Sequence, residues 1–263
     1  MRLRIALCQV ALLLLSVPAP AAELFYMDHD AITGEYVGPV GPLVMSGEII
    51  PGDYDRLLSK ILDDPGRFLA QNKLILASDG GDMSEAIKIA TLIRSLFAAV
   101  TVGPLTGRCV SACFFIYASA AQREADGARL VGINRPYLVD SPAAPATVPR
   151  PDVDDSKALR QVRAFLQDNA VPGYLVDEMF RHPSDDAYWL SAEDEKALGF
   201  RSPAFDRYLA VNCAWSETIE REVLARKRPP EDLLPMLKCR ARVTEDAARR
   251  ALALAAKERS GTH

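Results

Sequence analysis

The chain has 263 residues, 49% hydrophobic and 25% charged, with 31 Lys and Arg against 35 Asp and Glu for a net charge of −4. Such a composition suits a globular protein with a sizeable core and argues against a disordered or fibrous chain. A mildly acidic balance without a basic patch also argues against a nucleic-acid partner.

Arg2 and Arg4 precede an apolar run from Ile5 to about Val17, which ends in small residues around Ala19 to Ala22. This is the pattern of a secretory leader, too short for the ~20 residues of a membrane span. Residues 1–22 are therefore expected to be removed, after Ala21 or Ala22, from a periplasmic or secreted protein with no membrane span. Cys8 lies inside the leader, and Cys109, Cys113, Cys213 and Cys239 remain. An even number of cysteines in an oxidising compartment implies two disulfides. Of the three connectivities open to four cysteines, nearest-neighbour pairing is preferred here.

Residues 23–42 carry Gly34, Gly38, Pro39, Gly41 and Pro42 without a sustained period and read as an N-terminal arm or a strand pair. Leu43 to Ile49 is an apolar strand ending at Pro51-Gly52, after which Asp53 caps a helix with Leu57, Leu58, Ile61 and Leu62 on one face. The unit repeats: Leu74 to Ala77 is a strand, Gly80 and Gly81 turn the chain, and Asp82 with Glu85 forms a capping box. Ala86, Ile87, Ala90, Ile93 and Phe97 supply that second helix's buried stripe. Val100 to Val102 is a third strand, Ser111 to Ala120 a buried helix, and Leu130 to Ile133 a fourth strand. Strands alternating with helices predict an α/β fold with a mainly parallel sheet, whose ligands bind outside the carboxyl ends of the strands. Val139 to Asp155 reads as a loop, with helices at Ser156 to Asn169 and Gly173 to Arg181. Tyr188-Trp189-Leu190 then leads to a helix started by Ser191 and stopped by Gly199. Residues 210–260 read as two charged amphipathic helices joined around Pro229-Pro230. The chain thus divides into a leader at 1–22, an arm at 23–42, a domain at 43–208 and a helical tail at 209–263.

Three segments carry the chemistry: SDGGD at 78–82, CVSAC at 109–113 and WLSAEDEKALGF at 189–200. Their order and spacing over roughly residues 43–203 resemble the ClpP and crotonase superfamily, in particular its exported ClpP-like members. The resemblance implies a ClpP/crotonase-like βα-repeat core followed by the helical tail. It puts a nucleophile at Ser111 and an oxyanion hole in the backbone N–H groups of Ala112 and of Gly81 or Gly80. It implies a peptide or protein ligand, a homo-oligomer and no cofactor. The residues agree with it, since glycines let the backbone approach a ligand and amides at a helix start point outward. Read alone, the same Gly-Gly turn simply joins a strand to a helix.

The resemblance breaks at the base that a serine hydroxyl needs. Where the superfamily keeps a histidine, this chain reads Gly132-Ile133-Asn134-Arg135-Pro136, and an asparagine amide cannot take a proton near neutral pH. The third triad position falls near Pro183, with Asp185 and Asp186 close by. His182 is the leading substitute base, against its reading as an exposed helix-end residue; His29 and His263 are poorer, and Lys60, Lys73 and Lys88 carry no distinguishing mark. Cys109 and Cys113 flank Ser111 and read as a disulfide across the turn, with Cys213 and Cys239 clipping the tail. No zinc-site spacing is present. The expected function is an inactive or weakly active serine-hydrolase homologue that binds peptide. The alternatives are an active peptidase or esterase with a substitute base, and a scaffold acting through its charged tail.

Overall fold

The computed structural model describes residues 21–28, 41–103, 107–136, 157–183 and 185–261. Residues 1–20 of the leader, His29, His263 and the whole loop expected at 139–155 lie outside them.

Strand β1 (Glu23–Tyr26) pairs antiparallel with β2 (Leu43–Ser46), so the arm contributes an edge strand. Helices α1 (Asp53–Asp63) and α2 (Pro65–Gln71) follow, the second started by Asp64, whose side chain accepts from the Arg67 N–H. Strands β3 (Lys73–Ala77) and β4 (Ala99–Val102) flank α3 (Met83–Ser95) and run parallel to β2. Next come β5 (Cys109–Val110), α4 (Cys113–Ser119), β6 (Gln122–Ala125) and β7 (Val131–Ile133). Helices α5 (Lys157–Asp168) and α6 (Gly173–Arg181) precede β8 (Tyr188–Trp189) and α7 (Ala192–Leu198). The chain closes with α8 (Pro203–Cys213), α9 (Glu217–Leu224), a 3-10 turn at Pro230–Asp232 and α10 (Leu234–Ser260).

The main sheet has the order β1-β2-β3-β4-β6, parallel apart from β1, and the second sheet the order β5-β7-β8. The α/β class and mainly parallel sheet expected from the βα recurrence are present. The strand at Leu130 to Ile133, however, lies in the second sheet, and the main sheet's last parallel strand is β6. Gln122-Arg123-Glu124-Ala125 gives no apolar signal because β6 is an edge strand whose outer side is covered by the Phe200–Arg201 backbone; Arg123 N–H donates to the Phe200 carbonyl at 2.7 Å. Ser78 joins the two sheets, donating its N–H to Arg108 and accepting from Val110.

The capping box expected at Asp82 is half formed. Asp82 accepts from the Glu85 N–H at 2.7 Å, but Glu85 turns away to accept from the Gly52 and Tyr54 amides at 2.9 and 2.7 Å, where α1 begins. Nor does Asp53 cap α1: the capping position is Gly52, at φ 99°, so the donors left open there are satisfied by Glu85. The capping box at Ser191 is complete through Asp194, with Gly199 at the helix end. In α3, Ile87 is only partly buried, while Ile89, Leu92 and Leu96 join Ala86, Ala90 and Ile93 in the core.

The C-terminal segment forms three helices where two were expected, and the 208/209 boundary falls inside α8. Ala248 and Leu252 of α10 belong to the main core, and Phe205, Leu209, Trp215 and Met236 build a second cluster with Ala121. Both disulfides follow the nearest-neighbour pairing: Cys109–Cys113 and Cys213–Cys239, with Cα atoms 5.3 and 5.6 Å apart. Among the described residues no helix is long and apolar enough to cross a membrane.

Candidate active site

The site forms where β2, β3 and β5 end. Gly47 N–H donates to the Ala77 carbonyl and Ile49 N–H to that of Gly80, while Asp82 N–H donates back to Ile49. This holds the Gly-Gly turn flat against the end of β2. A Cβ on Gly81, at φ 131°, would lie 2.1 Å from the Ile49 oxygen, and one on Gly80, at φ 106°, 2.7 Å from Ser111 Cβ. Only glycine fits at either position, and the turn touches the serine directly.

Ser111 occupies the single step between strand β5 and helix α4. Its N–H donates to Gly132 of β7 at 3.2 Å and its carbonyl accepts from Phe114, so its backbone bridges the two elements. Reversing direction in so few residues puts Ser111 at φ 57°, a left-handed conformation that costs a non-glycine residue about 1–2 kcal/mol. The Cys109–Cys113 disulfide spans the turn, and both of its cysteines are fully buried.

The amides around this serine divide cleanly. Gly80 N–H donates to Ser78 Oγ at 3.1 Å. Gly81 N–H and Ala112 N–H have no acceptor among the described residues. The Gly80 carbonyl points at Ile49, and a trans peptide sets the Gly81 N–H opposite to it, on the Ser111 side. Gly81 and Ala112 both line a small cleft of about 10 Å³, roughly one water's worth of space, together with Met83, Ser111, Phe115, Asn134 and Pro136. An oxyanion-sized atom fits that geometry.

Asn134 is buried in the wall of this cleft. No described lining residue carries a titratable side chain. The other candidates lie elsewhere. His182 ends α6, its ring between Glu178 at 3.6 Å and Asp186 at 3.3 Å and beside Tyr188, and it does not line the cleft. Its main chain is near, since its carbonyl accepts from the Arg135 N–H. Asp185 sits on an exposed turn. Lys73 pairs with Glu124 at 3.3 Å, and Lys60 lies over the Tyr26 ring. Lys88 pairs with Glu85 at 2.9 Å, and the hydrogen bond to that carboxylate raises its pKa, the opposite of what a base would need.

Beside the small cleft, and sharing the wall at Gly81, opens a groove of about 950 Å³. Sequence reading missed it, because its lining comes from the ends of five strands. Glu48, Asp79, Arg108, Arg129 and Trp189 all face it. Arg108 forms a forked pair with Asp79, one arm at 3.3 Å, and lies over the Trp189 ring. Gly132 makes room for that indole: a Cβ there would stand 3.3 Å from it. Among the described residues there is no cluster of three side chains able to hold a metal.

No family model matches the chain, and no curated protein matches it. Among solved structures it is similar to the 1510-N membrane-bound stomatin-specific protease, at 16% identity over 65% of this chain and 83% of that one, with a TM-score of 0.40. A form of that protease in complex with a substrate peptide matches at 16% identity, over 65% of this chain and 78% of that one, with a TM-score of 0.39. ClpP1 from Listeria monocytogenes matches at 17% identity, over 61% and 88% of the two chains, with a TM-score of 0.39.

Proposed function

We propose that the chain is an exported serine-hydrolase homologue of the ClpP-like type which binds an extended peptide but lacks the base for efficient turnover. One observation carries the reading: Ser111 and two residues whose amides have no acceptor among the described residues line a cleft whose described walls hold Asn134 and no titratable side chain. Such a site stabilises negative charge on a carbonyl oxygen but leaves the serine proton in place. Oxyanion donors act on the transition state and are worth about 2.7–4 kcal/mol each, whereas a missing base costs about 10² to 10⁴ in rate. The adjoining groove of about 950 Å³ is large enough for several residues of peptide.

Labelling of the purified mature protein with a fluorophosphonate, with Ser111→Ala as control, tests this reading. Labelling should be absent or marginal between about pH 6 and 9, the window in which a serine's base would show itself. Strong, Ser111-dependent labelling would establish an active hydrolase, and its loss in His182→Ala would identify the base.

A further inference from the structure

The large groove has an electrical order that follows from its strand order. A chain of backbone hydrogen bonds crosses it: Gly47 to Ala77, Ser78 to Arg108, Cys109 to Leu130 and Leu190 to Val131. The floor is therefore five strand ends side by side, from β2 through β3, β5 and β7 to β8. Each interval is about 4.8 Å, and the strand registers put Glu48 level with Gly132, three residues along β7 from Arg129, so Glu48 and Arg129 stand about 17 Å apart along a diagonal of the floor.

Between them Asp79 and Arg108 cancel each other in a forked ion pair. The two outer charges have no such partner: neither Glu48 nor Arg129 has an ion-pair or hydrogen-bond partner for its side chain among the described residues. Arg129 is held at the rim by its own backbone, at φ 60° in a turn that also contains Gly127 at φ 143°. The groove is thus negative at one end, neutral in the middle and positive at the other, with Leu130 and Trp189 as apolar wall.

We infer that this groove selects an extended peptide segment with a basic side chain at one end and an acidic side chain four residues away, read by Glu48 and Arg129. An extended chain advances about 3.3 Å per residue, so four residues span about 13 Å, residues four apart point to the same face, and the remaining few Å of the diagonal lie within reach of the long Glu48 and Arg129 side chains and of the peptide's own. Both charges of such a segment reach the floor together. The inference rests on the peptide-binding reading and names the ligand class for it.

Binding of a labelled acetyl-Lys-Val-Ala-Val-Glu-amide, followed by fluorescence anisotropy against acetyl-Gln-Val-Ala-Val-Gln-amide, tests it on the full mature chain. Each matched charge is worth about two- to fivefold in affinity at an open site, so the charged peptide should bind about 4- to 25-fold tighter, and less so at high salt. Glu48→Gln and Arg129→Gln should each remove one of the two factors. Glu48→Lys should shift the preference to acetyl-Glu-Val-Ala-Val-Glu-amide. Both positions are exposed, and circular dichroism will confirm that the variants fold. Equal affinity for the charged and neutral peptides, or a preference untouched by the variants, would overturn the charge reading and leave peptide binding standing. Failure of every peptide to bind would overturn the peptide reading and this one with it.

Discussion

Asn134 is buried and lines the same small cleft as Ser111, and an asparagine amide cannot accept a serine proton near neutral pH. Around the same cleft stand a serine held in a left-handed turn, two glycines with no room for a side chain, and two amides without acceptors among the described residues. If the asparagine alone silences the site, Asn134→His should raise Ser111-dependent ester hydrolysis by at least about 10², the lower end of what one placed base contributes. A folded variant with no gain in p-nitrophenyl acetate turnover would mean that the imidazole cannot reach the hydroxyl, and that geometry as well as chemistry has drifted.

Helix starts show how elements borrow from one another. Glu85 belongs to α3 but closes the open end of α1, accepting from Gly52 and Tyr54 and pairing with Lys88. Burial would raise its carboxyl pKa, but the Tyr54 amide, the Lys88 ammonium and the Gly52 amide outweigh burial and hold it below the ordinary value. A depressed carboxylate stabilises the fold above the unfolded pKa of about 4.3 and loses that contribution as pH falls through the folded value. The urea midpoint should therefore drop on acidification below about pH 4.5, and Glu85→Gln should show a shallower drop from a lower starting point, about 2 kcal/mol less stable at pH 7. Equal acid slopes in the two proteins would remove Glu85 from the account. Sequence reading found Asp82 and Glu85 as a cap, and half of it was legible, since the Asp82 bond is local. The Gly52 and Tyr54 amides that Glu85 binds lie more than thirty residues away, and no local pattern announces them.

At the scale of the whole molecule, the C-terminal segment is part of the same body as the sheet. Helix α10 runs 27 residues, about 40 Å, with Met236 near its start in the second cluster and Ala248 and Leu252 in the main core. Arg201 ties the same region together through a forked pair with Glu220 at 2.7 Å, itself bonded to the Trp215 indole N–H. The Cys213–Cys239 bond closes a loop with a sequence separation of 26, worth about 3.5 kcal/mol in the chain-entropy account. Replacing both cysteines by serine should lower the unfolding free energy by about that amount while leaving a single urea transition, followed by both circular dichroism and Trp fluorescence. Two separate transitions would instead return the segment to an independent appendage.

The sequence by itself determined the βα recurrence, the Gly-Gly turn, the Ser111 turn and the Ser191–Gly199 helix, because each is written in neighbours a few residues apart. Periodicity, turn glycines and caps are local physics, and local physics survives in a string of letters. What only the tertiary structure decided is what distant segments do to each other. It moved Leu130 to Ile133 into a second sheet, promoted the polar β6 to the main one, and folded α10 into the core. It also left the Gly81 and Ala112 amides without an acceptor among the described residues and placed His182 with Glu178 and Asp186, outside the serine cleft. The groove, with two charges that have no partner among the described residues, belongs to the same class. Its floor is assembled from five strand ends between residue 46 and residue 189, and only hydrogen bonds between strands set their order.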